Sequence, residues 1–420
     1  MGFRRVAVLL MMIGVMCQAQ DNGTSDRETI RQLVQQVKEL QKEVAELKAQ
    51  RTAEQPSAQA ETQNPAAAQK EASQEPRPSL SQEIHDLHGI QWRGFGEADY
   101  KVLNQNKPEL GSYGFVPGSA GDFFVGAFDL LLTSRISDKA SVLSEIVFEE
   151  GDAQSFEVDL ERLLLKYDYN DRLRISAGRY QTGIGYYNTA YHSGAWLQTA
   201  ADRPLIMEFA NHGGPLPTQA VGLSVTGDFG PEKAGLHYVA EYGSSDTIRP
   251  DLNGVSTVDE NNGNHFNVGL FARPEAVRGL QIGASYYHDQ ISDFDRGPTV
   301  RLGQTIVNAH AVYFAHKLEL LNEGFLIRHA YRQSPDVYNM PAFYTQISRK
   351  FGHARPFFRY QYMNANPNSI FSDISLRRGP SFGARYDLND YIAFKAQLDH
   401  MLRKGQPDLD GLHLQLAFTF

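Results

Sequence analysis

A serine flanked by glycines is the first candidate for chemistry in this sequence. The segment Gly379-Pro380-Ser381-Phe382-Gly383 fits the G-x-S-x-G pattern of serine hydrolases, and His212-Gly213-Gly214 is similar to an oxyanion-hole loop. The hydrolase motif needs a strand, a sharp turn and then a helix, with the serine at the bend. Here the match runs directly into Ala384-Arg385-Tyr386, which alternates as a strand does. We therefore predict that the protein is not an enzyme, and a phospholipase-like barrel enzyme stays as an alternative.

Metal ligands and phosphate loops are the next candidates, and none has a convincing spacing. Residues Asp293 to Gly297 have a loose calcium-loop pattern, but Arg296 interrupts it and no glutamate follows at the required position. The 13 histidines show no paired zinc spacing and no HExxH motif. We expect no cofactor. A net charge of −9 also argues against nucleic acid as a partner.

Basic residues, most of them in the second half of the chain, could instead act on a passing solute. Period-two alternation places four of them on the polar side of their strands, and three more are candidates without that pattern: Arg174, Arg359, Arg385 and Lys395, then Arg328, Arg332 and Arg355. From residue 301 onward, 14 Lys+Arg stand against 9 Asp+Glu. Rings of Arg or Lys favour anion passage, because they replace part of the anion's hydration. Alternatively, these charges pair with acids such as Asp399, Glu241 and Glu145 to hold a wall rigid.

The elements that must position these residues are β-strands, because apolar residues alternate with period two from residue 89 to 420. Leu173 and Ile175 oppose Arg174, and in the segment 411–420 leucines and phenylalanines oppose His413 and Gln415, ending on Phe420. Many strands end in an aromatic residue on the apolar face, and the opposite face is polar in nearly every strand. Short turns alternate with longer polar stretches. These features indicate a transmembrane barrel, whereas a soluble β-sandwich or β-helix explains fewer of them.

The number of strands follows from the length of this region. About 330 residues at close to 20 per strand and connection give on the order of 16 strands, and bacterial barrels have an even number. A mean hydropathy of −0.41 and the lack of a second long apolar run exclude a bundle of transmembrane helices. The predicted fold class is all-β: an antiparallel transmembrane β-barrel of about 16 strands that encloses an aqueous lumen.

The first residues have the layout of a secretory signal peptide. Arg4 and Arg5 precede an apolar stretch from Val6 to Met16, which is too short to span a membrane. Cleavage after Ala19 would make residues 1–19 the signal peptide and leave a mature chain without cysteine. Cys17 keeps a lipoprotein open as the alternative.

A short coiled coil and a linker are predicted between the signal peptide and the barrel. Residues 28–50 contain no Gly or Pro and follow a heptad for three repeats, with Ile30, Val37 and Val44 at one seam position and leucines at the other. We expect a coiled-coil helix that self-associates. Residues 51–88 contain few large apolar residues and read as a flexible linker.

Taken together, the signal peptide, coiled coil, barrel and terminal phenylalanine resemble the phosphate-selective porin O and P family and related Gram-negative outer-membrane porins. The likeness is strongest in AGRYQTGIGYYNTAYHSGAWLQTAADRP, from Ala177 to Pro204, where an AGR strand end leads into an aromatic, Gly-rich turn. The resemblance implies a passive channel, a trimer, and a loop from about Gly183 to Pro217 that folds into the pore. That family's ladder of basic residues cannot be placed on this sequence residue by residue.

The resulting expectation is an outer-membrane porin of a Gram-negative bacterium, with the N-terminal segment in the periplasm. It would pass small hydrophilic solutes by diffusion, and the basic residues add the expectation of a preference for anions or phosphate. Its partners would be outer-membrane lipid and further copies of the chain. A structural protein that tethers the outer membrane is the alternative outside the enzymes.

Overall fold

The computed structural model describes most of the region that the sequence assigns to the barrel. The described residues are 89–105, 120–150, 156–208, 214–245, 247–249, 254–256, 263–293, 296–297, 299–372 and 374–420. The predicted signal peptide (1–19), coiled coil (28–50) and linker (51–88) lie outside these residues and stay predictions.

Sixteen antiparallel strands form one closed barrel. They are β1 (Ile90–Leu103), β2 (Ala120–Arg135), β3 (Ala140–Glu150), β4 (Phe156–Asn170), β5 (Leu173–Gln181), β6 (Gln219–Phe229), β7 (Leu236–Ser245), β10 (His265–Ala272), β11 (Leu280–Ser292), β12 (Arg301–Ala315), β13 (Leu318–Tyr331), β14 (Val337–Arg349), β15 (Ala354–Asn364), β16 (Leu376–Asp387), β17 (Ile392–Arg403) and β18 (Leu409–Thr419). A separate two-stranded sheet, β8 (Thr247–Arg249) and β9 (Gly254–Ser256), lies between β7 and β10 in the chain. The strand count agrees with the sequence-based prediction of about 16.

Helical structure is brief in the part of the chain that the structure describes. One helix, α1 (Tyr187–Tyr191), and the 3-10 turns Ala195–Leu197 and Leu205–Met207 lie between β5 and β6, and a third 3-10 turn, Glu232–Ala234, follows β6. Among the described residues, no helix is both long enough and apolar enough to cross a membrane.

The barrel closes where β1 pairs with β18. Phe95 lies opposite Thr419, and the pairing continues to Leu103 opposite Gly411. Every other barrel strand pairs with its neighbours along the chain, with β10 taking the place next to β7. Closure leaves no strand of the barrel with an unpaired edge, which is the condition for a sheet that is surrounded by lipid.

The two faces of the strands differ as the alternation predicts. The outward face carries exposed apolar side chains on most strands, including Trp92, Phe123, Leu165, Leu223, Tyr242, Leu270, Phe343, Phe358, Phe394 and Leu416. On β18 the neighbouring residues His413 and Gln415 point inward and are buried. One expectation is wrong in part: the inner face is not polar throughout, because β11 to β15 bring apolar residues such as Ile306, Phe325 and Met340 into an internal core.

An aromatic cluster covers the closing seam on the outward face. The Phe420 ring lies 5.6 Å from Trp92 and 5.9 Å from Phe128, measured between ring centroids. Gly94 makes room for it, since a Cβ atom built on Gly94 would lie 2.2 Å from the Phe420 ring. The backbone of the same glycine exchanges two hydrogen bonds of 3.0 Å with Phe420.

The variant Gly94→Ala is expected to displace the Phe420 ring and destabilise the closed barrel by about 1–2 kcal/mol, because aromatic contacts of this kind are lost and the site is overpacked. Urea unfolding followed by heat-modifiable mobility in SDS gels measures the loss. Gly324→Ala is the control, because a Cβ atom there meets nothing within 4 Å. Equal unfolding midpoints for the two variants would contradict this role of the seam.

Connections of two kinds lie at the two ends of the barrel. At one end they are short, namely 136–139, 171–172, 230–235, 273–279, 316–317, 350–353 and 388–391. At the other end they include the longer segments 104–119, 182–218, 246–264 and 365–375. The segment 182–218 is called the inner loop below; its described residues, 182–208 and 214–218, pack inside the barrel and define the candidate site.

Candidate functional site: the inner loop and the charged wall

The neck of the inner loop is fixed by its own backbone and by Asn188. The Thr182 amide donates to the Thr218 carbonyl (2.9 Å), which joins the two ends of the loop. The Asn188 side-chain amide donates to the carbonyls of both threonines, at 2.9 Å each. The two ends of the loop therefore lie side by side where the loop leaves and rejoins the barrel wall.

One side of the inner loop is apolar and packs against the inner face of the barrel. Its buried residues Ile184, Tyr187, Ile206, Met207 and Leu216 form one cluster with wall residues of β11 to β15 and of the connection 365–375, among them Tyr287, Ile306, Phe325, Ile327, Met340, Tyr344, Met363 and Phe371. Burial of a single such side chain contributes about 1.5–3 kcal/mol. The inner loop is thus held inside the barrel by a hydrophobic core.

Two buried glutamates of the wall receive amides of the inner loop. Glu323 accepts hydrogen bonds from the backbone amides of Tyr186 (2.6 Å) and Tyr187 (2.8 Å), at the start of α1. Tyr344 donates its hydroxyl to the same carboxylate at 2.5 Å. On β7, both oxygens of Glu241 lie 3.0 Å from the Gly183 amide. These carboxylates satisfy backbone donors that water cannot reach.

We expect Glu323→Ala to loosen the start of α1, because two buried amides and the Tyr344 hydroxyl lose their acceptor. Each unsatisfied buried donor costs about 1–3 kcal/mol. Hydrogen–deuterium exchange of residues 183–191 should rise, while that of the barrel strands stays slow. Glu275→Ala, in the short connection 273–279, serves as the control. Unchanged exchange in the loop would rule out this anchoring role.

Three of the predicted basic residues bind backbone carbonyls of the inner loop, and we call them the carbonyl clamp: Arg359, Arg385 and Lys395. Lys395 Nζ donates to the carbonyl oxygens of Ala195 (2.5 Å) and Ala200 (3.1 Å). Arg385 donates to the carbonyls of Trp196 and Gln198, the latter at 2.9 Å. Arg359 Nη1 donates to the Asp202 carbonyl at 2.9 Å. Lys395 and Arg359 are both fully buried by these contacts.

The Asp202 carboxylate fastens the same part of the loop to β1 and β18. It accepts from Lys101 (3.1 Å) and from His413 Nδ1 (2.9 Å), while His413 Nε2 lies 2.8 Å from Asp99. Gln397 donates to the second carboxylate oxygen of Asp202 at 3.1 Å. Burial alone would raise the pKa of the Asp202 carboxyl, but the charges of Lys101 and His413 outweigh it and hold that pKa well below its usual range.

The remaining predicted site residues are not part of the clamp. Arg355 faces the lumen and pairs with Glu319 at 3.1 Å. Arg174 lies by the short turn after β4, where it pairs with Asp171 at 3.2 Å and lies 3.9 Å from Asp228.

The placement of Arg328 and Arg332 inside the pore does not agree with the structure. Arg328 is exposed on the outward face of β13, in the same series as the exposed Leu326, while Ile327 and His329 are buried inside. Arg332 is exposed in the connection that follows β13. The role of the other five residues in solute passage stays a prediction.

A second charged cluster lies at the root of the inner loop, and sequence reasoning named only Glu145 among its residues. Arg162 pairs with Glu145 (2.5 Å) and donates to Ser193 of the loop (2.9 Å), and Glu161 lies 3.0 Å from His192. A β-bulge between β3 and β4 lets both Glu161 and Arg162 face inward. Strict alternation cannot anticipate two consecutive inward residues.

The AGR segment supplied one signal for this cluster. Gly178 has φ 129°, a conformation that favours glycine. The residue that follows, Arg179, donates to Gln219, and its charge acts on Glu161. The segment that carried the family resemblance therefore supports the base of the inner loop.

The G-x-S-x-G match is not a nucleophile elbow. Ser381 is fully buried within β16, directly opposite Asp399 of β17, and the strand continues on both sides of it. Asp293, from the loose calcium pattern, forms an ion pair with Arg296 at 3.6 Å and accepts a hydrogen bond from the Tyr331 hydroxyl. Within the described part of the chain, no group of three or more His, Cys, Asp or Glu is placed to hold a metal ion. His212 and Gly213 lie outside the described residues.

Comparison with solved structures identifies the class of fold. OmpT of Vibrio cholerae, folded in vitro and in its trimer form, shares 12% identity with a TM-score of 0.51, covering 80% of this chain and 100% of its own. The outer-membrane channel DcaP of Acinetobacter baumannii shares 9% identity with a TM-score of 0.53, covering 79% of this chain and 97% of its own. The anion-selective porin of Comamonas acidovorans shares 11% identity with a TM-score of 0.51, covering 79% of this chain and 99% of its own. No family model matches the chain, and no curated protein matches it. The shared property is the fold, a porin-like closed barrel of 16 strands.

Proposed function

We propose that this protein is a porin of the Gram-negative outer membrane, through which small hydrophilic solutes diffuse down their concentration gradients. The observation that carries the proposal is the closed barrel with an apolar outward face, charged groups on its inner wall and a loop folded into its lumen. Such a wall isolates a polar interior from lipid, and a loop anchored inside it limits the size of the solute. No covalent step and no cofactor are needed.

The assembly and orientation belong to the same proposal. Short turns at one end and long loops at the other match the periplasmic and external ends of outer-membrane barrels. The N-terminal segment would then lie in the periplasm, since β1 begins at the short-turn end. A trimer is proposed from the resemblance to porins and from the trimer form of the structurally similar Vibrio cholerae OmpT.

A preference for anions is the finer proposal. Arg359 and Lys395 bind neutral carbonyls, so their positive charges are not cancelled by those bonds. Arg355 and Arg385 have carboxylate partners, Glu319 and Asp387. Because the clamp residues direct donors to the loop instead of the solute, we propose a general preference for anions over a dedicated phosphate site.

Liposome swelling with uncharged solutes of increasing size tests the channel, and the reversal potential in a potassium chloride gradient tests its selectivity. We expect pentoses to enter rapidly and disaccharides to enter more slowly. The reversal potential should shift toward the equilibrium potential of chloride. Liposomes that exclude all of these solutes while containing folded, heat-modifiable protein would contradict the porin proposal. A potassium-side potential would contradict only the anion preference.

A further inference from the structure

Three arginines lie exposed at the long-loop end of the barrel, away from the lumen. Arg328 of β13 and Arg378 of β16 both belong to outward series, the latter with the exposed Phe382. Arg332 follows β13 and is also exposed. We call these three residues the outward arginines. Their side chains have no hydrogen-bond or ion-pair partner among the described residues.

Aromatic side chains set the height of the outward arginines on the wall. The rings of Phe343 and Tyr362 stack on the outward face with centroids 5.5 Å apart. Arg378 lies directly opposite Tyr362 in the pairing of β15 with β16. Because outer-membrane barrels carry aromatic residues at the boundary between hydrocarbon and headgroups, this pairing favours a position of Arg378 at the headgroup boundary.

Arg328 is placed similarly on the other side of this patch. It pairs with Thr305, two residues from Val307, which lies opposite the exposed Tyr286. Arg328 is therefore one outward position beyond the aromatic level, toward the long loops. Arg332 lies four residues further along the chain.

Among the described residues, no carboxylate pairs with the side chains of Arg328, Arg332 or Arg378. Asp293 and Asp336 in the adjoining loops are already engaged by Arg296, at 3.6 and 3.0 Å.

We infer that the outward arginines bind the phosphate groups of a phosphorylated lipid in the outer leaflet around the barrel. Arginine presents a planar set of donors that bind phosphate in bidentate fashion, and such bonds are strongest near a low-dielectric phase. The patch combines this chemistry with the headgroup height and with three arginine side chains that have no carboxylate partner among the described residues. The inference rests on the proposed placement of the barrel in an outer membrane, but not on solute passage.

The test compares detergent-solubilised wild type with the variant Arg328→Gln/Arg332→Gln/Arg378→Gln, titrated with diphosphoryl lipid A and followed by native mass spectrometry. Binding should weaken by roughly tenfold or more, because hydrogen bonds to charged groups are worth at least about one tenfold step each. Arg349→Gln is the matched control. Arg349 is exposed and belongs to the outward series of β14, but it lies at the short-turn end. It should leave binding unchanged.

Competition by inorganic phosphate distinguishes a lipid site from a site for free phosphate. An excess of inorganic phosphate should fail to displace the lipid; displacement would indicate a site for free phosphate and overturn the inference, as would equal lipid binding by the wild type and the triple variant. If the triple variant does not fold, Arg332→Gln alone should still weaken binding. Single-channel conductance should be the same in the triple variant and the wild type. Protein that binds lipid A but conducts no ions would refute the porin proposal and leave this one intact.

Discussion

Replacing Lys395 with methionine is expected to release residues 195–202 of the inner loop and to raise the single-channel conductance. Methionine fills a similar volume but donates no hydrogen bond, so the carbonyls of Ala195 and Ala200 lose their common donor. An unsatisfied buried acceptor costs about 1–3 kcal/mol. The released segment can recover this energy only by moving toward water, which widens the channel and adds current noise.

Two measurements separate anchoring from the loss of charge. Hydrogen–deuterium exchange of residues 195–202 reports the detachment without regard to ion selectivity, and it should increase while β17 stays protected. Lys317→Met, in the exposed turn between β12 and β13, removes the same charge without touching the loop. If Lys395→Met shifted the reversal potential but left both exchange and conductance at wild-type values, Lys395 would act on the solute and not on the loop.

The second large effect is expected for Asp202→Asn, which keeps the size of the side chain but removes the charge between Lys101 and His413. Breaking a buried ion pair by removing one partner costs about 3 kcal/mol or more, because the opposite charge is left without compensation. Asp202 retains 26% exposure of its side chain, which favours the lower end of that range. Proteolysis of the inner loop in detergent, at neutral pH, should become faster than in the wild type.

The pH dependence of the wild type has a definite sign. A carboxyl whose pKa is lowered in the folded state contributes stability that is fully present above its unfolded pKa, about 4 for aspartate, and that is lost as the pH falls through the folded value. Channel noise should therefore rise in the wild type on acidification below about pH 4. In Asp202→Asn the noise should be high already at neutral pH and should change less with acid.

A matched carboxylate provides the control for this experiment. Asp410 also pairs with a histidine, His400, at 2.6 Å, but it lies on the surface with 56% exposure. Exposed pairs contribute no more than about 1 kcal/mol, so Asp410→Asn should leave both proteolysis and noise unchanged. Equal effects of the two variants would show that the buried position of Asp202 has no special role.

Period-two alternation predicts which side chains face inward in some strands but not in others. In β18 one face is apolar and the other polar, so alternation assigned His413 and Gln415 to the lumen correctly. In β13 the inner face carries Leu321, Phe325 and Ile327, because it packs against the inner loop. Both faces of that strand therefore carry apolar residues, and alternation cannot predict whether Arg328 faces the lumen or the lipid.

The partners of the carbonyl clamp could not be predicted for a different reason. Sequence reasoning selected Arg359, Arg385 and Lys395, but their partners are backbone carbonyls that lie between 157 and 200 residues away in the chain. Every residue has a backbone carbonyl, so no pattern of residue types predicts which carbonyls will accept these hydrogen bonds. The hydrophobic core inside the barrel was missed because aromatic and aliphatic residues of the inner loop are equally compatible with an external loop.

Single-channel recording of the purified, folded barrel in a planar lipid bilayer tests the central claim most directly. We expect discrete current steps whose conductance increases in proportion to salt concentration, because ions would diffuse through a water-filled lumen. Protein that inserts, resists unfolding in SDS until heated, and yet produces no current steps would contradict it, because the inner loop would then seal the barrel instead of narrowing it.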